Sequence, residues 1–257
     1  ENDATISKAN TEWERSFGYT RDELQGKKFT FLFPENDLKI MEYYHKLRRV
    51  NTTKAPKRYT SHIINKAGEI RDCLITVDLI PGTDKSIATH ADITDFNRAN
   101  RVLKTTSAVN VTMLQAENEQ SLLNNVCRDI VDIGGYCFAW VAYVENKGIV
   151  PAAYAENENG FLKCLNKIIS DPEHGKDAFS NIRTGEVFIS RSINTDPRCS
   201  SWRREAEAMG FKGTISIPLD ISELGSKGLL LIYSNQEGVF DDEEVKFLRE
   251  LAGNLSY

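Results

Sequence analysis

Hydrophobic residues recur at three- and four-residue intervals between residues 92 and 114, a stretch that contains neither glycine nor proline. This spacing is typical of a helix with one apolar side. The apolar positions are Ile93, Phe96, Ala99, Val102, Leu103, Val109, Met113 and Leu114. The stretch leaves one patterned segment and runs into the next, so we expect a long helical connector between two globular units.

The apolar side of this connector needs a partner surface, and two arrangements provide one. The helix can lie on the chain's own two domains. Alternatively, it can form a parallel two-helix seam in a homodimer, with Val102 and Val109 at the seam and with Thr106 and Asn110 interrupting the heptad pattern. The sequence leaves both arrangements open.

Before the connector, the pattern changes from helical to extended. We expect a short strand at residues 3–6, then a compact helical insert, then a helix that Asp37 can cap. Alternating apolar and polar residues then predict three long antiparallel strands, within 59–63, 72–79 and 86–93. The apolar anchors of the insert are Trp13, Phe17 and Leu24. A sheet with one apolar face needs a cover, so we expect the insert to lie over it and to enclose a pocket.

After the connector, a helical pattern ends at Gly134 and Gly135, and a strand follows that is apolar on both faces at residues 137–144. Such a strand belongs in the middle of a sheet. A partner strand is expected at 149–157, and helices at 161–168 and 178–184. In the final helix, Glu244 follows Asp241 by three residues, which resembles a capping box. The predicted fold class is therefore α+β, with two domains that each hold a central antiparallel sheet with flanking helices.

Composition narrows the class of protein. The 257 residues suit two domains, and the net charge of -5 with 27% charged residues gives no reason to expect nucleic acid as a partner. No apolar run approaches the roughly 20 residues of a membrane helix. Five cysteines without a C-x-x-C pair suggest neither a disulfide framework nor structural zinc, which fits a reducing cytoplasm. We expect the chain to be a piece of a longer protein.

Residues 1–95 resemble a PAS domain. The resemblance is carried by the order and spacing of ISKAN, FGYTRDEL, the NKAGEIRD hairpin and the closing DIT. It implies a five-stranded antiparallel sheet with helices on one face, which holds a small ligand or cofactor or mediates dimerisation. It also implies that Asp92, Ile93 and Thr94 pass a change in sheet packing to the exiting helix. Asp92 or Thr94 would cap that helix and Ile93 would be buried; the alternative is that these residues are only a cap and a core contact.

Residues 116–257 resemble a GAF domain of the variety found beside PAS domains in sensor histidine kinases, and residues 96–115 are left as the helical linker. The resemblance is carried by LLNNVCR, GGYCFAWVAY, GFKGTISIPL and GLLLIYS. It implies a ligand pocket roofed by the segment that contains Asp196, Arg198, Trp202 and Arg203. An arginine offers a fork to a carboxylate or phosphate, and a tryptophan offers a flat apolar wall. Alternatively, Asp-Pro-Arg only stabilises a turn and Trp202 only fills the core.

The cofactor stays open. No cysteine adjoins a histidine, as bilin attachment would require, and no Asn-Cys-Arg-Phe run marks a flavin photosensor. The cyclic-nucleotide signature is matched only in part, and the sequence requires no cofactor. Haem is not excluded, because a single histidine can serve as its axial ligand. The candidate histidines are His45, His62, His90 and His174.

The resemblances imply a sensory region of a two-component histidine kinase, with no catalytic residues of its own. It would detect a small ligand, a gas or a redox state and relay it through the connector and the C-terminal helix. It would be a homodimer formed through helices, with the kinase core in further sequence. The alternatives are the input region of a diguanylate cyclase or transcriptional regulator, or a GAF-fold methionine sulfoxide reductase. The reductase would need a cluster of cysteines in the pocket, whereas Cys199 lies near the roof and Cys164 in another segment.

Overall fold

The computed structural model describes residues 1–145, 148–156, 185–221 and 226–256. The chain divides into two compact units, Glu1–Ala99 and Asn100–Tyr257. Each described unit holds one antiparallel sheet with helices, which confirms the predicted α+β class. The helices expected at 161–168 and 178–184 lie outside the described residues.

The first unit contains short helices, one long helix and a three-stranded sheet. Its sheet has the order β1-β2-β3, and both pairings are antiparallel. The elements are α1 (Thr11–Phe17), α2 (Arg21–Leu24), a 3₁₀ turn (Phe29–Leu32), α3 (Glu35–Val50), β1 (Arg58–Ile64), β2 (Ile70–Leu79) and β3 (Ser86–Asp92). The three strands predicted by alternation are thus confirmed.

The further strand expected at residues 3–6 is reduced to a single bridge between Thr5 and Lys28, so the described sheet has three strands and not five. The cause is a local turn. The Asp3 carboxylate accepts hydrogen bonds from the Thr5 N–H at 3.0 Å and from the Thr5 hydroxyl at 2.6 Å, and Ala4 takes a φ of 70°. A side chain that binds its own backbone in this way competes with a strand ladder.

The helices cover one face of this sheet. Their buried residues meet the inward side chains of β1 and β2 in one cluster: Phe17, Leu24, Leu32, Phe33, Met41, Ile63, Cys73, Ile75 and Val77. The opposite face carries the alternate residues of β3, and Ile87 there is 59% exposed. The expected cover over a one-sided sheet is therefore present.

In its described residues, the second unit is built on a five-stranded antiparallel sheet with the order β5-β4-β8-β7-β6. Its elements are α4 (Thr94–Gln115, which begins in the first unit), α5 (Glu119–Asp132), β4 (Phe138–Glu145), β5 (Gly148–Glu156), β6 (Phe188–Ser190), a 3₁₀ turn (Pro197–Cys199), α6 (Arg203–Ala208), β7 (Gly213–Ile221), β8 (Ser226–Ser234) and α7 (Asp242–Leu255). β4 lies between β5 and β8, as its two apolar faces predict.

The two faces of this sheet pack into different clusters. Ala139 and Val141 of β4 face a cluster formed with α4, α5 and α7. Phe138 and Trp140 face the other side, where they pack with aromatic residues that include Trp202. The alternation along β4 thus supplies a core on each side of the sheet.

The seam predicted at Val102 and Val109 is wrong. Val109 is 1% exposed and lies in the core of the second unit, and Val102 packs against the same cluster. The exposed apolar residues of α4 lie elsewhere on the helix: Phe96, Leu103, Val111 and Leu114, which are 69%, 70%, 47% and 88% exposed.

Candidate functional site

Of the three residues expected to relay a signal, Ile93 and Thr94 hydrogen-bond the start of α4 to β2. The Ile93 N–H donates to the carbonyl of Asp72 at 2.8 Å, and the Asp72 N–H donates to Thr94 Oγ1 at 2.9 Å. Asp92 Oδ1 accepts the Thr94 N–H at 2.9 Å, so Asp92 serves as the expected cap. Ile93 is only partly buried, because it lies at the surface turn between β3 and α4 rather than inside the core.

The Asp72 carboxylate extends this junction. Its Oδ2 accepts a hydrogen bond from the Asn97 side-chain amide at 2.9 Å, and its Oδ1 lies 3.5 Å from His62 Nε2. The other ring nitrogen of His62 lies 2.9 Å from Asp37 Oδ2. A continuous polar chain, which we call the junction network (Asp37, His62, Asp72, Asn97), therefore connects α3, β1, β2 and α4.

Asp37 does not cap α3 as expected, because that helix begins at Glu35 after Pro34 with no side-chain cap. Its carboxylate accepts the Ser61 hydroxyl and the His62 N–H, both at 2.9 Å, and so binds the outer edge of β1. Burial raises the pKa of the Asp37 carboxyl, but the hydrogen bonds from His62 and Ser61 outweigh it, and the pKa lies below its ordinary value.

Sequence reasoning did not single out His62, Asp72 and Asn97 as junction residues. A signal was present, since Asn97 follows Thr94 by three residues and therefore shares its helix face. The pairing of His62 with Asp72 depends on the register between β1 and β2, which alternation alone does not fix.

The segment from β6 to α6 brings together the four residues expected in the roof of the GAF pocket. The Asp196 carboxylate accepts the Arg198 N–H at 3.0 Å and its guanidinium at 3.0 and 2.7 Å. The hydrogen bond from Arg198 holds the pKa of Asp196 below its ordinary value. Arg198 also donates to the carbonyl of Ile189 at 2.7 Å and lies over the Phe188 ring, 4.7 Å from its centre.

The other two roof residues hold the segment in place. Arg203 donates to the carbonyls of Ile193 at 3.0 Å and Asp196 at 2.7 Å. Trp202 is 6% exposed and packs edge-on against Tyr233. Among the four, Arg198 keeps the most open side chain, at 59% exposure, whereas that of Asp196 is 12% exposed.

The histidines and cysteines of the described residues form no metal site, since no group of three or more His, Cys, Asp or Glu side chains converges there. His45 contacts Arg49 and the carbonyl of Asn2, and His90 packs edge-on against Trp13. His174 and Cys164 lie outside the described residues. Cys199 is fully buried, and burial raises the pKa of its thiol, which disfavours the reactive thiolate.

A groove of about 60 Å³ lies between α4 and α7. It is lined by Thr106, Val109, Asn110, Phe247, Glu250, Leu251 and Asn254. Small-molecule sites usually measure roughly 300–1,000 Å³, so this groove is too small to hold an organic ligand. No helix of the described residues is both long enough and apolar enough to cross a membrane.

Comparison with known proteins identifies two families. A PAS domain model matches residues 1–95, and a GAF domain model matches residues 116–256. A comparison with curated proteins found no match.

Solved structures resemble the chain at low identity. The GAF domain region of a putative membrane protein from Geobacter sulfurreducens PCA is 16% identical, with a TM-score of 0.44, over 61% of this chain and 93% of that one. The chromophore-binding domain of Stigmatella aurantiaca phytochrome P1 is 14% identical, with a TM-score of 0.43, over 98% and 89%. The free methionine-R-sulfoxide reductase from Neisseria meningitidis, in complex with its substrate, is 17% identical, with a TM-score of 0.44, over 62% and 87%.

Proposed function

The chain belongs to the GAF domain family through residues 116–256 and carries a PAS domain at residues 1–95, and from this premise we propose that it is the sensory region of a two-component histidine kinase. A PAS domain followed by a GAF domain makes it a sensory signalling region. The kinase core, and with it the phosphorelay, would lie in further sequence, and the working compartment would be the cytoplasm. The linker between the two domains would be residues 96–115, inside α4.

The observation that carries the proposal is the attachment of α4 to β2. Asp72 binds Ile93 and Thr94 through its backbone and Asn97 through its carboxylate. α4 then continues without interruption to Gln115. A ligand that changes the packing of the first sheet would move β2 and with it the first turn of α4. Such a ligand needs only different affinities for two positions of that turn.

In the GAF domain, Arg198 is the residue we propose for direct contact with a small ligand. Its guanidinium now binds Asp196, and a ligand carboxylate or phosphate would compete for the same fork. Asp196, Trp202 and Arg203 would complete the site by holding the segment in position. A ligand that separates Arg198 from Asp196 would also loosen the 3₁₀ turn, because Asp196 caps it.

We further propose that the partner of α4 is a second copy of the chain. The exposed apolar residues Phe96, Leu103 and Leu114 lie seven and eleven residues apart, so they share one side of the helix. Apolar residues that repeat along one side of a helix are the pattern through which two helices associate. The proposed seam therefore lies away from Val109, which is buried in the second unit, and from Val102, which packs against the same cluster.

The relay is tested in the full-length protein by following phosphate transfer from ATP to the kinase histidine. Thr94→Val removes the acceptor for the Asp72 N–H, and Asn97→Ala removes the bond to its carboxylate. Both variants should shift autokinase activity, whereas Asn100→Ala, one turn further along α4, should leave it unchanged. Wild-type activity in both junction variants would refute the relay.

Nucleotide assays on the full-length protein distinguish a histidine kinase from a diguanylate cyclase and a transcriptional regulator. A diguanylate cyclase would consume GTP, a transcriptional regulator would hydrolyse neither nucleotide, and a histidine kinase would label itself from ATP. An absorption spectrum and the native mass of the purified chain would show at once whether haem, flavin or bilin is bound and whether the chain is a dimer. A colourless chain would favour a ligand that does not absorb visible light.

A further inference from the structure

Glu244 lies in the first turn of α7 and is 1% exposed. Its N–H donates to Asp241 Oδ1 at 2.9 Å, which is one half of the expected capping box. A full capping box also needs a second hydrogen bond, from the Asp241 N–H to the Glu244 carboxylate. The Asp241 N–H instead donates to the carbonyl of Val239 at 3.0 Å. The Glu244 carboxylate instead points into the second unit, which is an unusual place for an acid.

There Glu244 meets two donors from other elements. Its Oε1 accepts hydrogen bonds from the Tyr136 hydroxyl and, at 3.0 Å, from Arg101 Nη2. The Arg101 guanidinium also lies over the Tyr136 ring, 5.6 Å from its centre. Arg101 belongs to α4 and Tyr136 to the segment before β4, so one carboxylate oxygen joins both to the first turn of α7.

This ion pair is incompletely satisfied. Within the described residues, Glu244 Oε2 and Arg101 Nε have no hydrogen-bond partner, although both atoms are buried. A buried ion pair gains little net stability, because desolvation of both charges offsets their attraction. Loss of one partner is costly, however, because it leaves a buried charge without compensation. The pair therefore serves to specify position more than to stabilise the fold.

We propose that Arg101 and Glu244 form a latch that couples the position of α4 to the first turn of α7. Because Arg101 is fixed on α4, a rotation or shift of that helix carries its guanidinium away from Glu244 Oε1, and the hydrogen bond weakens steeply as it lengthens or bends. Glu244 then keeps Tyr136 alone as a donor, and the first turn of α7 opens to return the carboxylate to water. In the proposed relay, the latch would carry the change from α4 to α7, and this role rests on the proposed function. The coupling between Arg101 and Glu244 can be measured in the chain whether or not the relay exists.

The latch is tested by hydrogen exchange of the amides of residues 245–248 in the whole chain. Arg101→Met should speed their exchange at least about tenfold, which corresponds to about 1.4 kcal/mol, while the amides of β4 keep their wild-type rates. Lys104→Met, an exposed position one turn further along α4, is the matched control and should change neither set. Unchanged exchange at 245–248 in Arg101→Met would overturn the latch.

A double-mutant cycle with Glu244→Met separates coupling from two independent losses. The double variant should restore part of the slow exchange that Arg101→Met loses, because it removes both charges, while the buried Tyr136 hydroxyl loses its acceptor. Additive effects of the two substitutions would overturn the latch. If Arg101→Met does not fold, Arg101→Lys keeps the charge but loses the fork, and it should give a smaller change in the same amides. Coupling without any effect on kinase output would refute the relay and leave the latch in place.

Discussion

The side-chain amide of Asn97 donates a hydrogen bond to Asp72 Oδ2 at 2.9 Å, one turn after α4 begins. The other carboxylate oxygen of Asp72 lies 3.5 Å from His62 Nε2, so a single carboxylate joins β1 to the first turn of the connector. Because the Asp72 side chain is 36% exposed, its interactions are worth less than those of a fully buried carboxylate. They position the helix more than they stabilise the domain.

Replacement of Asn97 by alanine should therefore lower the free energy of unfolding by only about 1 kcal/mol, the usual net value of one hydrogen bond. Amide exchange in the first turn of α4 should rise at the same time, because the bonds to β2 that remain, from Ile93 and Thr94, both lie at the very start of the helix. Urea denaturation and hydrogen exchange measure the two effects. Asn100→Ala is the control, and an equal rise there would show a general loss of helicity.

The proposed dimer gives a second prediction. Leu103→Asp and Leu114→Asp should each weaken self-association by at least about 2 kcal/mol, because each places an unpaired charge in an apolar seam. Native mass spectrometry across a concentration series measures the shift from dimer to monomer.

The control for the dimer is Val109→Ala. Val109 is 1% exposed within its own unit, so this change should destabilise folding by about 2 kcal/mol and leave the native mass unchanged. Wild-type association of both aspartate variants, or monomers formed by Val109→Ala, would argue against a seam on this side of α4.

The sequence predicted elements well where one periodicity dominates. β4 is central because its residues are apolar at both odd and even positions, and α4 lacks any residue that stops a helix. The sequence predicted less well which side of α4 packs against the second unit. Val102 and Leu103 are both apolar and adjacent, and only the packing of α5 and α7 decides that Val102 faces the core while Leu103 is 70% exposed.

The candidate sites show the same limit. The cap at Asp92 depends on residues two apart and was predictable. The roles of Asp37 and Glu244 were not predictable, because each carboxylate binds groups far along the chain instead of its own helix end. Asp37 binds Ser61 and His62, and Glu244 binds Arg101 and Tyr136. Local capping and distant pairing compete for the same carboxylate, and only the tertiary fold decides between them.

The end of α5 gives a third prediction. A Cβ added at Gly134 would lie 2.3 Å from the carbonyl oxygen of Ile130 and 3.0 Å from the Tyr136 ring. Gly134→Ala should therefore destabilise the second unit by at least about 2 kcal/mol, because a backbone oxygen cannot move aside as a side chain can. Gly253→Ala is the counterpart in α7. No atom of the described residues beyond its own helix turn lies within 4 Å of a Cβ added there, so this change should stabilise the fold by up to about 1 kcal/mol. Thermal melts of both variants should shift in opposite directions, and equal shifts would contradict this packing.

His90 gives the last prediction, on the pH dependence of folding. Burial lowers the pKa of its imidazole from 6.5 to about 4, and its ring packs edge-on against Trp13, 4.5 Å between centres. Between these two pKa values the imidazole is protonated in the unfolded chain and neutral in the folded chain. The free energy of unfolding therefore falls as the pH drops below about 6.5, and the loss, at most about 3 kcal/mol, is complete near pH 4. His90→Phe keeps an aromatic ring without the charge and should flatten the change in urea midpoint between pH 7 and pH 5. An identical pH slope in the variant and the wild type would contradict this, because it would mean that His90 binds protons equally in the folded and unfolded chain.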